Sequence, residues 1–143
     1  MDAIWRVTNT APTAHAIGRI ERGKEPVRAA LVVSDPLTRS LGRPNREQVV
    51  TTRPEELSTL QALDLTNGRI LADLLDRGAK NLRKSGAKPD DLVVELYRAA
   101  LSRKPTDQEL ATTRTLLGAT PTDAAVSDLL WAVFMLPEFQ FVR

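Results

Sequence analysis

Helix-start signals recur along this chain and constrain its fold more than any other feature. Thr52 and Glu55 have the spacing of a capping box, in which two side chains bond the free N–H groups of a first helical turn. Thr106 and Glu109 repeat this spacing. No pair of segments shows the alternation and turn spacing of a β-hairpin. The pattern predicts an all-α protein: a single compact bundle of about five to seven helices with a partly irregular N-terminal segment and an Arg-rich loop.

Apolar periodicity locates the later helices and their buried faces. The clearest stripe has the spacing of one helical face and comprises Ile70, Leu71, Leu74, Leu75, Gly78, Ala79 and Leu82. The helix that starts at Lys88-Pro89 is expected to bury Val93, Leu96, Tyr97, Ala100 and Leu101. The next is expected to bury Leu110, Leu116 and Leu117. The run from Leu129 to Leu136 is apolar all round, so we expect the most buried helix there, with Trp131 in the core.

Earlier segments carry weaker helix signals. Residues 26–33 are predicted to form a helix whose first turn contains Pro26, where a missing N–H costs nothing. Asp35 and Pro36 predict an N-cap followed by a short helical turn. A further helix is expected over residues 55–66. We therefore expect a helical start to the chain, an irregular loop and then a series of helices that an extended connection interrupts over residues 43–51.

The length of 143 residues suits one domain with a sizeable core. We divide it into a truncated helix end and loop at residues 1–25 and a helical domain at residues 26–143. Because the chain has no cysteine, disulfides, thiolate catalysis and Cys-based zinc sites are excluded. No run approaches the roughly 18 apolar residues that cross a bilayer. The opening residues place acidic Asp2 where a signal peptide would be basic, so none is expected and the compartment is left open.

Arginine is concentrated in one Pro- and Gly-punctuated loop. Residues 1–53 hold nine Lys and Arg against five Asp and Glu, whereas residues 54–143 hold eleven against thirteen. Guanidinium groups bind carboxylate, sulfate and phosphate through paired N–H donors, so this loop predicts an anion or acidic-glycan site. Its candidate residues are Arg39, Arg43, Asn45, Arg46 and Arg53.

A structural role for the same loop is the favoured alternative. A loop must satisfy its own backbone and side-chain groups, and acidic partners lie close in sequence. These partners are Asp35, Glu47, Glu55, Glu56 and Asp64. Pairs of this kind would tie the loop to the helices without any ligand.

The segment LQALDLTNG adds three polar residues to the candidate site: Gln61, Asp64 and Asn67. Gln61 and Asp64 lie three apart, on the helical face that carries Leu57 and Leu60. An inward-facing Asp64 would need a charged or hydrogen-bonded partner, and the arginines of the Arg-rich loop are the nearest such partners in sequence. The functional interpretation makes Asp64 a general base or a ligand carboxylate. The structural interpretation, which we favour, makes it the partner of an arginine.

No catalytic group is assigned. The only histidine, His15, lies in an irregular segment, and one carboxylate without a second acid or a histidine is weak support for catalysis. No zinc-protease, phosphate-loop or nucleophile-elbow motif occurs. We therefore expect no catalytic residue, no metal site and no cofactor in this chain.

Nucleic-acid binding by a helix-turn-helix is the weakest alternative. The basic residues that could supply such a surface are Arg77, Lys80, Arg83, Lys84 and Lys88. Asp73 and Asp76 interrupt that surface, and a recognition helix needs a basic and polar outer face.

Several segments resemble the C-terminal domain of a planctomycete cytochrome-c-associated family of unknown function, the DUF1553, planctomycete-specific-domain type. The similar stretches are Asp2–Trp5, Ser34–Leu37, Leu41–Val49, Leu60–Gly68, Leu96–Thr106 and Pro137–Phe141. The resemblance implies a cell-envelope or periplasmic protein with further domains upstream, some of them haem-binding. It also implies that this chain is a truncated member, and it supplies no catalytic residue.

Together these patterns favour a non-catalytic helical module that docks another protein or domain, such as the upstream region of longer family members. Because Ile4 and Trp5 lie in what resembles the middle of a longer element, we expect them to form an exposed apolar patch. Anion or acidic-glycan binding at the Arg-rich loop is the first alternative, and nucleic-acid binding is the second.

Overall fold

Helices make up the regular secondary structure wherever the chain is described. The computed structural model describes residues 1–13, 26–33, 35–41, 59, 63 and 68–140. These residues contain seven α-helices and one 3-10 turn: α1 (Asp2–Thr8), η1 (Ala29–Leu31), α2 (Pro36–Ser40), α3 (Arg69–Arg83), α4 (Pro89–Leu101), α5 (Asp107–Leu117), α6 (Asp123–Met135) and α7 (Pro137–Gln140). The described part contains no β-strand beyond an isolated bridge between Thr13 and Pro26. The predicted all-α class is confirmed.

The chain forms two compact units. Unit 1 comprises Met1–Asp2 and Ala11–Asp73, and unit 2 comprises Ala3–Thr10 and Leu74–Arg143. The predicted division at residue 25 stays a prediction. In the described residues no helix is both long enough and apolar enough to cross a membrane.

Unit 1 is held by hydrogen bonds around short elements. The carboxylate of Asp2 accepts from the backbone N–H of Ala29 (2.6 Å), at the start of η1. The N–H of Val27 donates to the carbonyl of Pro12 (3.0 Å) beside the isolated bridge. In α2, Leu37 is buried. Short elements of this kind have little helical stability of their own, so these bonds position them.

The apolar stripe predicted for helix α3 forms its buried face. Leu71, Leu74, Leu75 and Ala79 are buried, as the periodicity predicted, and Gly78 is buried with them. Basic Lys80 and Arg83 occupy the last turn, where the helix dipole favours positive charge.

Helices α4, α5 and α6 supply the rest of the unit 2 core. Their buried apolar residues are Leu92, Val93, Leu96, Tyr97, Leu117, Val126, Leu129, Leu130, Val133 and Phe134. Phe134 also stacks on Phe139 of α7, with ring centroids 4.6 Å apart. The start signal at Thr106 is confirmed, because its hydroxyl accepts from the third N–H of α5. Thr122 caps α6 in the same way.

Residues 26–33, predicted to form a helix, contain only a single 3-10 turn over Ala29–Leu31. Leu31 and Val32 donate to the carbonyls of Arg28 and Ala29, and the backbone is extended again at Val32. Three valines in this stretch restrict side-chain rotamers in a helix, and a helix of this length is marginal alone.

Two apolar residues expected in the core are exposed. Trp131 is 39% exposed and Leu116 is 43% exposed. The buried stripe of α6 runs through Val126, Leu130 and Val133, and position 131 falls outside it. A run that is apolar all round therefore does not bury every side.

The apolar patch expected at Ile4 and Trp5 is absent. These side chains are only 4% and 6% exposed, and both residues belong to unit 2. The expectation was wrong because it treated α1 as an isolated segment, whereas residues from much later in the chain pack against it and bond its end.

Candidate functional site

Arg39 is the one arginine of the predicted Arg-rich site that falls among the described residues. It lies in the last turn of α2, and its side chain is exposed. The other candidates lie outside the described residues and stay predictions: Arg43, Asn45, Arg46, Arg53, Gln61, Asp64 and Asn67. The predicted capping box at Thr52 and Glu55 also lies outside them.

Arg39 belongs to a short helix, α2, that begins with a complete capping box. The carboxylate of Asp35 accepts from the N–H of Thr38 (2.7 Å), and the hydroxyl of Thr38 accepts from the N–H of Asp35 (2.9 Å). Ser40 donates its hydroxyl to the carbonyl of Pro36 (3.0 Å). With Leu37 buried, this single turn leaves Arg39 in solvent.

Among the described residues, the most connected group of side chains lies in unit 2 and was not predicted. We call it the Arg103 cluster: Arg103, Glu109, Glu138 and Tyr97. The guanidinium of Arg103 donates two bonds of 2.8 Å to the carboxylate of Glu109. It donates two more to Glu138, at 2.8 and 3.3 Å. Its central carbon lies 5.4 Å from the centroid of the Tyr97 ring, in cation–π range.

Local folding explains why Arg103 can reach these partners. Ser102 ends α4 in the left-handed conformation (φ 57°), which turns the chain before Arg103. Glu109 is the third residue of α5, where its carboxylate also accepts from the N–H of Thr106 (2.7 Å). The end of α4 and the starts of α5 and α7 therefore meet at one guanidinium.

These contacts shift the pKa values of the cluster. The hydrogen bonds from Arg103 are the main reason that the pKa of Glu109 falls from 4.5 to about 2. The same bonds, with those to Glu138, raise the pKa of Arg103 above its usual range. Burial is the main cause of the raised pKa of the Tyr97 hydroxyl. All three groups thus keep their usual charge at neutral pH.

Two carboxylates share one guanidinium in the Arg103 cluster. Each carboxylate faces the guanidinium, and the remaining N–H capacity of Arg103 is directed in part to the carbonyl of Lys104 (3.1 Å). This geometry supports a structural role, in which Arg103 links the end of α4 to the starts of α5 and α7.

A second ion pair borders a shallow groove of unit 2. Arg114 donates to both carboxylate oxygens of Asp90, at 2.8 and 2.6 Å, and this pairing lowers the pKa of Asp90. The groove is lined by Lys88, Pro89, Asp90, Asp91, Arg114, Gly118 and Ala119. Asp90 lies in the first turn of α4, where the helix dipole favours negative charge, and its bond to Arg114 adds a partner from α5.

The basic surface considered for nucleic acid is partly engaged in internal pairs. Arg83 pairs with Asp123, and Asp76 accepts from the hydroxyl of Ser127 (3.2 Å). Both contacts direct charged groups of α3 toward α6. No observation on these residues favours nucleic-acid binding.

Sequence patterns contained part of the signal for the Arg103 cluster. Thr106 and Glu109 have the spacing of a capping box, and the segments Leu96–Thr106 and Pro137–Phe141 both resemble the family. Arg103 and Glu138 belong to those two segments, and the structure joins them. The pairing itself could not be inferred, because 35 residues separate the partners.

Potential metal ligands do not converge in the described part of the chain: no group of three or more His, Asp or Glu side chains there could hold an ion. The fold and the Arg103 cluster define a small all-α protein whose most connected charged groups join helix ends. A family model described as PSD1, protein of unknown function (DUF1553), matches residues 23–117, more than half of the chain. The chain belongs to this family, as the sequence resemblance indicated. No curated protein and no solved structure matches it.

Proposed function

We propose that this DUF1553 protein is a non-catalytic helical module that docks another protein or domain of a planctomycete-type cell-envelope assembly. The observation that carries this proposal is an exposed apolar segment in unit 1. Val33 is 85% exposed and Leu31 is 45% exposed. Apolar side chains presented together in this way are typical of surfaces that bind proteins.

Anchors on both sides favour binding by this segment. Asp2 bonds the N–H of Ala29 just before Leu31, and Asp35 caps α2 just after Val33. A segment that is already ordered loses less conformational entropy when a partner covers it. The surface that supports docking therefore differs from the Ile4 and Trp5 patch expected from the sequence.

A matched pair of variants tests docking. Leu31 and Leu116 have nearly equal exposure, 45% and 43%, but belong to different units. The probe is the upstream region of a longer DUF1553 protein, titrated by calorimetry. We expect Leu31→Glu to weaken binding at least tenfold and Leu116→Glu to leave it unchanged. Equal affinities for both variants and the wild type would remove the support for this surface.

Anion or acidic-glycan binding at the Arg-rich loop is a second proposal, and the exposure of Arg39 supports it. Titration with a sulfated or carboxylated saccharide compares the wild type with Arg39→Ala and with Arg43→Ala plus Arg46→Ala. Arg28→Ala is the control, because Arg28 also belongs to unit 1 but precedes the loop. Equal weak binding by all four chains would contradict the proposal and favour a structural role for the loop.

A further inference from the structure

The chain around Val33 presents backbone groups as well as an apolar side chain. The N–H groups of Leu31 and Val32 are used to close η1. In the part of the chain that the structure describes, nothing bonds the carbonyl oxygens of Leu31 and Val32 or either backbone group of Val33. Because Val33 is 85% exposed, a partner can reach its N–H and its carbonyl. The segment therefore offers main-chain hydrogen bonds that the chain itself does not use.

The backbone on both sides of Val33 is extended. Val32 has φ −88° and ψ 152°, and Asp35 has φ −99° and ψ 171°. These angles belong to the region of φ/ψ space that β-strands occupy. Valine also favours strands, since its branched side chain packs well on a pleated surface. The segment thus resembles the edge of a sheet, and no strand among the described residues pairs with it.

Two exposed arginines flank the segment. Arg28 precedes it at the start of η1 and Arg39 follows it in α2. The carboxylate of Asp35, which lies between them in sequence, accepts from the N–H of Thr38. The exposed charge on both sides of Val33 is therefore positive, which favours a partner that carries acidic residues.

We propose that the partner docks here by strand addition, in which an extended stretch of the partner pairs antiparallel with Val33 and exchanges two main-chain hydrogen bonds with it. Residues directly opposite each other in an antiparallel pair can exchange both bonds in this way. The partner residue opposite Val33 is β-branched or aromatic, since such cross-strand pairs stabilise a sheet, and acidic residues lie toward the ends of the stretch. This inference rests on the docking proposed above and specifies the chemistry of its partner.

A helical partner fits the segment less well. A helix uses its own backbone groups, so a helix that covered Val33 would take the N–H and the carbonyl of Val33 out of water without a new bond. Polar groups buried in that way are strongly unfavourable. A strand supplies both bonds while it covers the same side chain.

Two substitutions at one position separate these modes of docking. Val33→Pro keeps an apolar side chain but removes the N–H, and the extended backbone of Val32 suits the residue before a proline. Val33→Thr keeps the N–H and the branched shape but is more polar. The full chain is titrated by calorimetry with the upstream region of a longer DUF1553 protein. We expect Val33→Pro to weaken binding at least tenfold and Val33→Thr to leave it nearly unchanged. Arg28→Glu plus Arg39→Glu should also weaken it, because the flanking charge is reversed.

The reverse order, in which Val33→Thr weakens binding and Val33→Pro does not, would mean that the partner covers the side chain alone. That result would overturn strand addition and leave docking intact. If the wild type does not bind, or if neither variant nor Leu31→Glu changes its affinity, docking at this surface fails and strand addition fails with it.

Hydrogen exchange at the Val33 amide tests the proposal without any substitution. In the complex this amide should exchange at least tenfold more slowly than in the free chain, because it gains a carbonyl acceptor. The Thr38 amide is the control, since it already bonds Asp35 and should keep its rate. An unchanged rate at Val33 in a saturated complex would overturn strand addition.

Discussion

Capping boxes start both α2 and α5, but only the box of α5 also bonds a residue outside the box. At α2, Asp35 and Thr38 bond each other and lie three residues apart. At α5, Glu109 bonds Thr106 in the same way and also receives two bonds from Arg103. The first box is a local start signal, whereas the second is also an ion-pair anchor.

The two boxes differ in which residue carries the carboxylate. In α2 it belongs to the N-cap residue, and the residue three positions later is a threonine. In α5 it belongs to the third residue of the helix, and the longer glutamate side chain serves both the Thr106 amide and an arginine. Through Arg103 this box is joined to Glu138. The same spacing can therefore mark a simple helix start or a tertiary junction.

Removal of Arg103 should have the largest effect. Arg103→Ala leaves two carboxylates without their shared cation, and it removes the contact with the Tyr97 ring. We expect its fall in thermal unfolding midpoint to be several times that of Arg114→Ala, since isolated exposed pairs contribute little. The Arg114 and Asp90 side chains are 56% and 45% exposed, against 33% for Arg103. Equal midpoints for the two variants would show that the cluster acts as an ordinary surface pair.

Substitution of Glu109 separates the cap from the ion pair. We expect Glu109→Ala to lower the free energy of unfolding by about 1.5 kcal/mol, because it loses both the cap and a charged partner. Glu109→Gln should lose about half as much, since a glutamine oxygen still accepts from the Thr106 amide. Urea unfolding measures both values. Identical losses would mean that only the charge matters.

Acid should weaken the α5 anchor in a defined range of pH. The pKa of Glu109 is about 2 in the folded chain against 4.5 for the ordinary group. A lowered folded pKa contributes stability that is fully present above the ordinary value and is lost as pH falls through the folded one. The midpoint difference between the wild type and Glu109→Gln should therefore be constant from neutral pH down to the ordinary pKa and shrink below it. A difference that stays constant down to the folded pKa would contradict the low value.

The α2 box should give the smallest effect. Asp35→Ala is expected to cost about 1 kcal/mol, and Asp35→Asn only a few tenths, because asparagine caps helices as well as aspartate does. Hydrogen exchange at the Thr38 amide reports the change locally. If Asp35→Asn exposed this amide as much as Asp35→Ala does, charge at Asp35 would be needed and the α2 box would resemble that of α5.

Sequence periodicity was sufficient wherever burial depends on one helix alone. The stripe of α3 and the start of α5 were predicted correctly, since 3.6-residue spacing and cap chemistry act within a few residues. It failed for Trp131, because which side of an apolar helix is covered depends on its neighbours. It also failed for residues 26–33, where the Ala29 N–H bonds Asp2 instead of a helical carbonyl.

The candidate site also has one part that the sequence could predict and one part that it could not. Its Arg-rich members could be identified by composition, and of these the described residues include Arg39 on a correctly predicted cap. The Arg103 cluster escaped prediction because no periodicity connects Arg103 to Glu138. Recognition of the family required neither contact, since it rests on linear motifs within residues 23–117.

The sequence by itself determined that this protein is all-α, where its strongest helices begin and to which family it belongs. Those properties follow from local backbone chemistry and from motifs that are read along the chain. Only the tertiary structure decided that α1 is buried against Gly78 and Asn81, and that one arginine joins the ends of three helices. Such contacts depend on residues that packing brings together. The separation of two residues along the sequence does not indicate their distance in space.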